Sequence, residues 1–206
     1  MIHDITRCIT PDTAVWPGDT PVGRRWVQRM EEGASCNVSA LTMIPHTGTH
    51  ADAPLHYNVA GLPMAEAPLE LYIGPALVVE LDVRGEIRRD HLAHIELEGV
   101  PRLLIKTHAS SRADSEWRDD FPYLSVEAVA WMAEQGVRLF GTDAPSVDFM
   151  TSKTLDAHHA LDDASIYILE NLQLGAVAPG LYELIAPPLK VMADGSPIRA
   201  LLRTLP

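Results

Sequence analysis

Three histidines and an aspartate fall within eleven residues, in His46-Thr47-Gly48-Thr49-His50-Ala51-Asp52-Ala53-Pro54-Leu55-His56. Neutral imidazole and carboxylate are donors that suit zinc, manganese or iron, and a site with few protein ligands keeps positions open for water, as catalysis requires. Two local geometries compete for the segment. In a helix His46 and His50 share a face at i and i+4, but Gly48 and two threonines weaken a helix and Pro54 stops one. In an extended chain His46, Gly48, His50, Asp52, Pro54 and His56 all point one way, which favours that geometry. A straight strand would still spread His46 and His56 over roughly 33 Å, too far for one coordination shell with bonds of about 2.0 to 2.2 Å. An extended segment bent at Gly48 and Pro54 is therefore expected.

Further along, Thr154-Leu155-Asp156-Ala157-His158-His159 precedes the apolar run Ile166-Tyr167-Ile168-Leu169-Glu170-Asn171-Leu172. On a strand Glu170 shares a face with Ile166, Ile168 and Leu172, and the opposite face is also largely apolar, so the glutamate should be buried. A buried carboxylate needs a metal or a basic partner, or it takes up a proton. His158 and His159 would point in opposite directions in an extended chain, so one of the two should reach a given metal. Trp16, between Val15 and Pro17 and ahead of Gly18-Asp19, sits in a proline-marked turn that should leave it half exposed. Gly141 to Asp148 follows a strand and could line a pocket, but Asp143 and Ser146 also make ordinary turn hydrogen bonds, so a structural role is the default. His3, His91, His94 and His108 are expected in solvent.

These side chains need a scaffold, and the pattern supplies mostly strands. Apolar runs with strand character are Val38 to Ile44, Ala76 to Val83, Arg102 to Thr107, Val137 to Thr142, Ser165 to Leu172, Tyr182 to Ala186 and Ile198 to Leu202. The clearest helix runs from Val126 to Gln135, with Ser125 as N-cap and Gly136 as its end. A weaker helix is expected from Arg89 to about Glu96. Few helices among many strands predict an α/β chain with a mixed sheet, and 206 residues without repeat or linker predict one domain over residues 1–206.

Composition excludes several classes. A net charge of -12 without a long basic cluster argues against nucleic-acid binding. The N-terminus lacks a basic stretch followed by an apolar one, and no run of about 18 apolar residues occurs, so a cytoplasmic protein without membrane contact is expected. Cys8 and Cys36, the only cysteines, lie too far apart for a CxxC site, and both are expected to be buried, reduced thiols. Any metal must then be held by nitrogen and oxygen.

The segment HTGTHADAPLHY resembles the H-x-G-T/A-H-x-D-x-P-x-H motif of the cyclase-type metal-dependent hydrolases. Trp16 to Pro21, Ser152 to His159 and Ile168-Leu169-Glu170 narrow the resemblance to the bacterial kynurenine formamidases, and it extends from Asp4-Ile5 to Pro197-Ile198-Arg199-Ala200. The stretch from Lys106 to Asp120 resembles the family least. The resemblance implies a swivelling β/β/α fold and a homodimer, with the neighbouring N-terminal region completing the pocket. It implies two divalent cations, zinc with manganese as the alternative, with His46, His50 and Asp52 on one, His158 on the second, and Asp52 and Glu170 bridging. His56 then falls at the general acid/base position and Trp16 against the substrate ring. The implied reaction is hydrolysis of N-formyl-L-kynurenine to formate and L-kynurenine in tryptophan degradation. Another aryl or cyclic amide such as isatin is the second enzyme reading, and a non-catalytic metal-binding domain is the third.

Overall fold

Short apolar runs punctuated by prolines form, in the computed structural model of residues 1–205, thirteen strands. They are β1 (Ile2–Asp4), β2 (Gly23–Gln28), β3 (Val38–Thr42), β4 (His50–Asp52), β5 (Ile73–Glu80), β6 (Glu86–Ile87), β7 (Arg102–Lys106), β8 (Tyr123–Leu124), β9 (Leu139–Thr142), β10 (Tyr167–Glu170), β11 (Gly180–Ile185), β12 (Gly195–Pro197) and β13 (Leu201–Thr204). Nine of them make one mixed sheet in the order β1-β13-β11-β5-β7-β9-β10-β4-β12. Strands β5, β7, β9 and β10 are parallel neighbours, and antiparallel strands extend the sheet on either side. The expected α/β architecture with a mixed sheet and few helices is present.

Parallel strands covered on both faces require near-continuous apolar sequence, which these runs supply. In β7, Leu103 and Ile105 join the core on one face and Leu104 the core on the other; in β10, Ile168 and Leu169 divide in the same way. Burying one such side chain contributes about 1.5–3 kcal/mol. Helix α2 (Val126–Glu134) contributes Val129 and Met132 to the core shared with Ile105 and Ile168. Its expected cap is in place, with the Ser125 hydroxyl accepting the Ala128 N–H at 3.2 Å.

Four expectations are corrected. Helix α1 covers Arg89–Leu92 and stops well short of Glu96, consistent with the poor apolar face of that stretch. Residues Asp156–Asp163 form helix α3, so His158 and His159 are not on extended chain. The Asp148 carboxylate accepts the N–H groups of Ala157 and His158, both at 3.0 Å, and Ala157, His158 and Leu161 form its buried stripe while His159 is exposed. Cys8 and Cys36 are exposed, because both fall in connecting segments outside the core. Of the four histidines expected in solvent only His94 is exposed: His3 packs edge-on to Tyr182, His91 accepts the Arg88 N–H, and His108 donates to the Asp120 carbonyl.

Strands β2 and β3 form a separate ribbon, exposed on both faces. Among the described residues no helix is long and apolar enough to cross a membrane.

Candidate metal centre

The motif segment is extended only over β4. Gly48, at φ +63°, turns the chain before it, and a 3-10 turn at Pro54–His56 ends it, so the bends fall where the sequence placed them. Strand β4 pairs antiparallel with β10, setting His50 opposite Glu170 and Asp52 opposite Ile168. Equal parity then puts His50, Asp52 and Glu170 on one face, the side on which α3 carries His158. The cluster stands at the C-terminal ends of parallel strands β9 and β10, where open α/β sheets tend to place ligands.

His50 Nε2 lies 3.3 Å from both Asp52 Oδ1 and Glu170 Oε2. His158 Nε2 lies 3.5 Å from Asp52 Oδ2 and 3.8 Å from Glu170 Oε1. His46 Nδ1 is 2.9 Å from Asp52 Oδ1, and the His46 and His56 rings stack tilted at 4.0 Å. His50-Asp52-Glu170 and His46-Asp52-His56 each bring three donor atoms within 4.8 Å of one another, with Asp52 common to both. Ligand atoms on a tetrahedral cation with bonds of about 2.1 Å stand about 3.4 Å apart, so these spacings suit a divalent ion. Buried His50 Nε2 and Asp52 Oδ2 also have no hydrogen-bond partner, an arrangement that is costly unless a ligand satisfies it.

Each histidine is oriented from its far side. His50 Nδ1 donates to the Gly48 carbonyl at 2.9 Å, and His158 Nδ1 to Asp148 Oδ2 at 2.6 Å, which leaves both Nε2 lone pairs facing the cluster. His46 Nε2 meets Asp194 Oδ2 at 3.0 Å, and the same oxygen is 3.5 Å from His56 Nδ1. Gly195 leaves room for His46: a Cβ there would stand 2.8 Å from its Cε1.

In the protein alone the cluster binds protons strongly. Burial opposes charge on His50, but the Asp52 and Glu170 carboxylates, each 3.3 Å from Nε2, raise it to about 10; burial likewise opposes charge on His158, which Asp148 and Asp52 raise to about 10. Asp52 is held well below the usual carboxylate range by His158, His46 and His50, against the effect of burial. His56 differs: burial and the neighbouring His46 and His158 lower its pKa despite Asp52, so it is the imidazole best suited to be neutral at pH 7.

The cluster opens into a cavity of about 490 Å³ lined in part by Trp16, His56, Arg112, Trp117, Ser146 and Asn171. Trp16 is half-buried and packs edge-on against Trp117 at 5.1 Å. The structure thus brings together His46, His50, Asp52, His56, His158 and Glu170, with Trp16 on the wall.

Sequence reasoning missed Asp148, Asp194, Arg112, Trp117 and Asn171. Asp148 had a partial signal in its loop after a strand, but Asp194 lies in an Asp-Gly turn that reads only as a turn. Asp143, left as structural, accepts from Thr107 and Ser110 through both backbone and side chain and so fixes the loop between them.

The family model Cyclase (Putative cyclase) matches residues 3–149, and the chain belongs to that family. Among solved structures it is similar to a potential metal-dependent hydrolase with cyclase activity, at 29% identity and TM-score 0.85, covering 98% of this chain and 96% of that one. A predicted metal-dependent hydrolase from Bacillus stearothermophilus is 29% identical with TM-score 0.84, covering 98% of this chain and 97% of that one. Isatin hydrolase A from Labrenzia aggregata, bound to benzyl benzoate, is 27% identical with TM-score 0.83, covering 98% and 93%.

Proposed function

We propose that this protein is a metal-dependent amidohydrolase acting on N-formyl-L-kynurenine, with His46, His50, Asp52, His158 and Glu170 as ligands of two divalent cations, zinc or manganese. The observation that carries this reading is the ring of oriented donors, with unsatisfied His50 Nε2 and Asp52 Oδ2, at the floor of an aromatic-walled cavity. When bound, the cations would supply Lewis acidity and lower the pKa of water from 15.7 toward about 7. Asp52 and Glu170 each stand close to both His50 and His158, so these four side chains would hold the cations together with His46.

His56 serves as the general acid/base. With Nδ1 toward Asp194, its Nε2 is free to accept a proton from the attacking water and deliver it to the departing aryl nitrogen, and its lowered pKa keeps it neutral for the first step. Trp16, held by Trp117, presents a ring to the substrate's aryl group. Formate and L-kynurenine are the products.

The likeness to isatin hydrolase A favours a second reading, opening of a cyclic aryl amide such as isatin by the same centre. Metal content of the purified protein, with formate release from N-formyl-L-kynurenine measured beside isatin opening, tests the two. Metal-dependent formate release is expected to dominate.

The protein is further proposed to act as a homodimer. Ribbon β2–β3 exposes Trp26, Val27, Val38 and Leu41, with Met30 exposed in the 3-10 turn that joins its strands, and an isolated two-stranded ribbon is marginal by itself. Light scattering should return twice the mass of the 206-residue chain, and a monomer would contradict this assignment.

A further inference from the structure

One charge in the cavity wall has no ion-pair partner among the described residues. Arg112 is nine-tenths buried, lines the same cavity as the donor cluster, and makes its one side-chain hydrogen bond through Nη2 to the neutral Oδ1 of Asn171. Among the described residues no carboxylate lies within 4.0 Å of its guanidinium, and buried Nε has no partner at all. Three acids attract it from farther off: Glu116 is exposed to solvent, and the other two are committed elsewhere. Asp114 pairs with Arg7 at 3.1 Å, and both oxygens of Asp143 are taken by Thr107 and Ser110.

A second cation makes the position worse. Arg7, buried and donating to the Arg112 carbonyl at 2.9 Å, adds repulsion, and burial together with Arg7 lowers the Arg112 pKa to about 10 against the weaker attraction of Asp114, Asp143 and Glu116. A desolvated guanidinium without an anion is costly, and planar bidentate pairing with a carboxylate is the arrangement it favours. Asn171 is built into this feature. It follows Glu170 directly, holds the left-handed φ of +57°, and turns Oδ1 to Arg112 because a guanidinium can only donate. Among the described residues its Nδ2 has no protein acceptor, and Asn171 lines the cavity together with Arg112. Lys153 also lines the cavity but is exposed, so water already screens its charge.

We infer that Arg112, with Asn171 beside it, is the anion-recognition point of this cavity and selects aromatic substrates that carry a carboxylate. The inference rests on reading the cavity as the hydrolase site, and it deepens that reading by adding a demand on the part of the substrate remote from the scissile bond. Trp16 and Trp117 would take the ring and Arg112 the carboxylate, while the donor cluster meets the bond to be cut.

The test is binding, measured by fluorescence titration of metal-loaded protein with 2-aminobenzoate and with 2-aminobenzamide, near-isosteres that differ in charge. Wild type should bind the carboxylate at least tenfold more tightly. Arg112→Gln should bring the ratio to within about twofold. Because a buried arginine can matter for folding, Asn171→Asp is the companion variant: it keeps Arg112 and supplies the missing carboxylate where Oδ1 already sits, and it should also abolish the preference. No preference in wild type would overturn the inference. So would a preference that survives in both variants, since the metals would then be holding the carboxylate. A wild type that shows the preference but releases no formate from N-formyl-L-kynurenine would sink the proposed reaction and leave the anion site standing.

Discussion

His56 is the residue on which the division of labour turns. Its ring lies 4.0 Å from that of His46, close enough for either a ligand or a proton carrier, while its neighbours favour the neutral form. Replacing His56 with Ala should therefore leave metal content intact and lower kcat by about 10² to 10⁴, the usual worth of a positioned acid/base. Loss of one metal equivalent would instead make His56 a ligand. Asp148 gives a second test at this scale. Its carboxylate holds both the Nδ1 and the backbone N–H of His158, so Asp148→Asn should weaken metal affinity about 10- to 100-fold while leaving the fold in place. Metal titration by calorimetry would measure the change, and an unaltered affinity would remove Asp148 from the centre. The ligand-type residues were visible in the sequence because metals demand few side-chain types. Asp148 and Asp194 were not, because an aspartate in a turn has the same appearance whether or not a histidine leans on it.

Elements, rather than single residues, decide which donors meet. The motif by itself could bring together only His46, His50, Asp52 and His56; pairing of β4 with β10 adds Glu170, and α3 adds His158. Parity along the chain was enough to foresee the shared face of His50 and Asp52 and the bends at Gly48 and Pro54. Helix α3 was not legible, because its start depends on Asp148 capping Ala157 and His158 from a separate loop, and Leu155 enters it with a left-handed φ of 49°. Strand β12 was missed for a similar reason: a three-residue strand containing glycine and proline has no apolar pattern, and it forms only because β4 offers an edge. That strand has a steric duty. Gly195→Ala would push a methyl group toward the His46 ring, so the purified variant should retain its circular dichroism yet lose at least half of its bound metal. Full metal content in a folded variant would show that His46 has room to spare.

Across the whole molecule, protons and cations compete for one cluster. In metal-free protein His50 and His158 are raised to about 10 from an ordinary 6.5, so the stability they contribute is complete below about pH 6.5 and is lost as pH rises through 10. With chelator present, Tm should fall steadily between pH 7 and 10. Added zinc should raise Tm by an increment that grows over the same interval, because the ion displaces fewer protons at higher pH. A chelated protein whose Tm is flat or rises in that window would contradict these proton affinities. The sheet itself was largely foreseeable from its apolar runs, whereas the ribbon β2–β3, with little to bury, gave only a partial signal at Val38 to Ile44.

Loaded with metal, this donor ring is proposed to cleave an aryl formamide. The most direct measurement is formate release from N-formyl-L-kynurenine by the purified, metal-loaded protein, with isatin opening followed in parallel and a chelated sample as control. Rapid formate and L-kynurenine production that chelator abolishes and metal restores is the expected result. Rapid isatin opening without formamide cleavage, or formate release indifferent to the chelator, would contradict it.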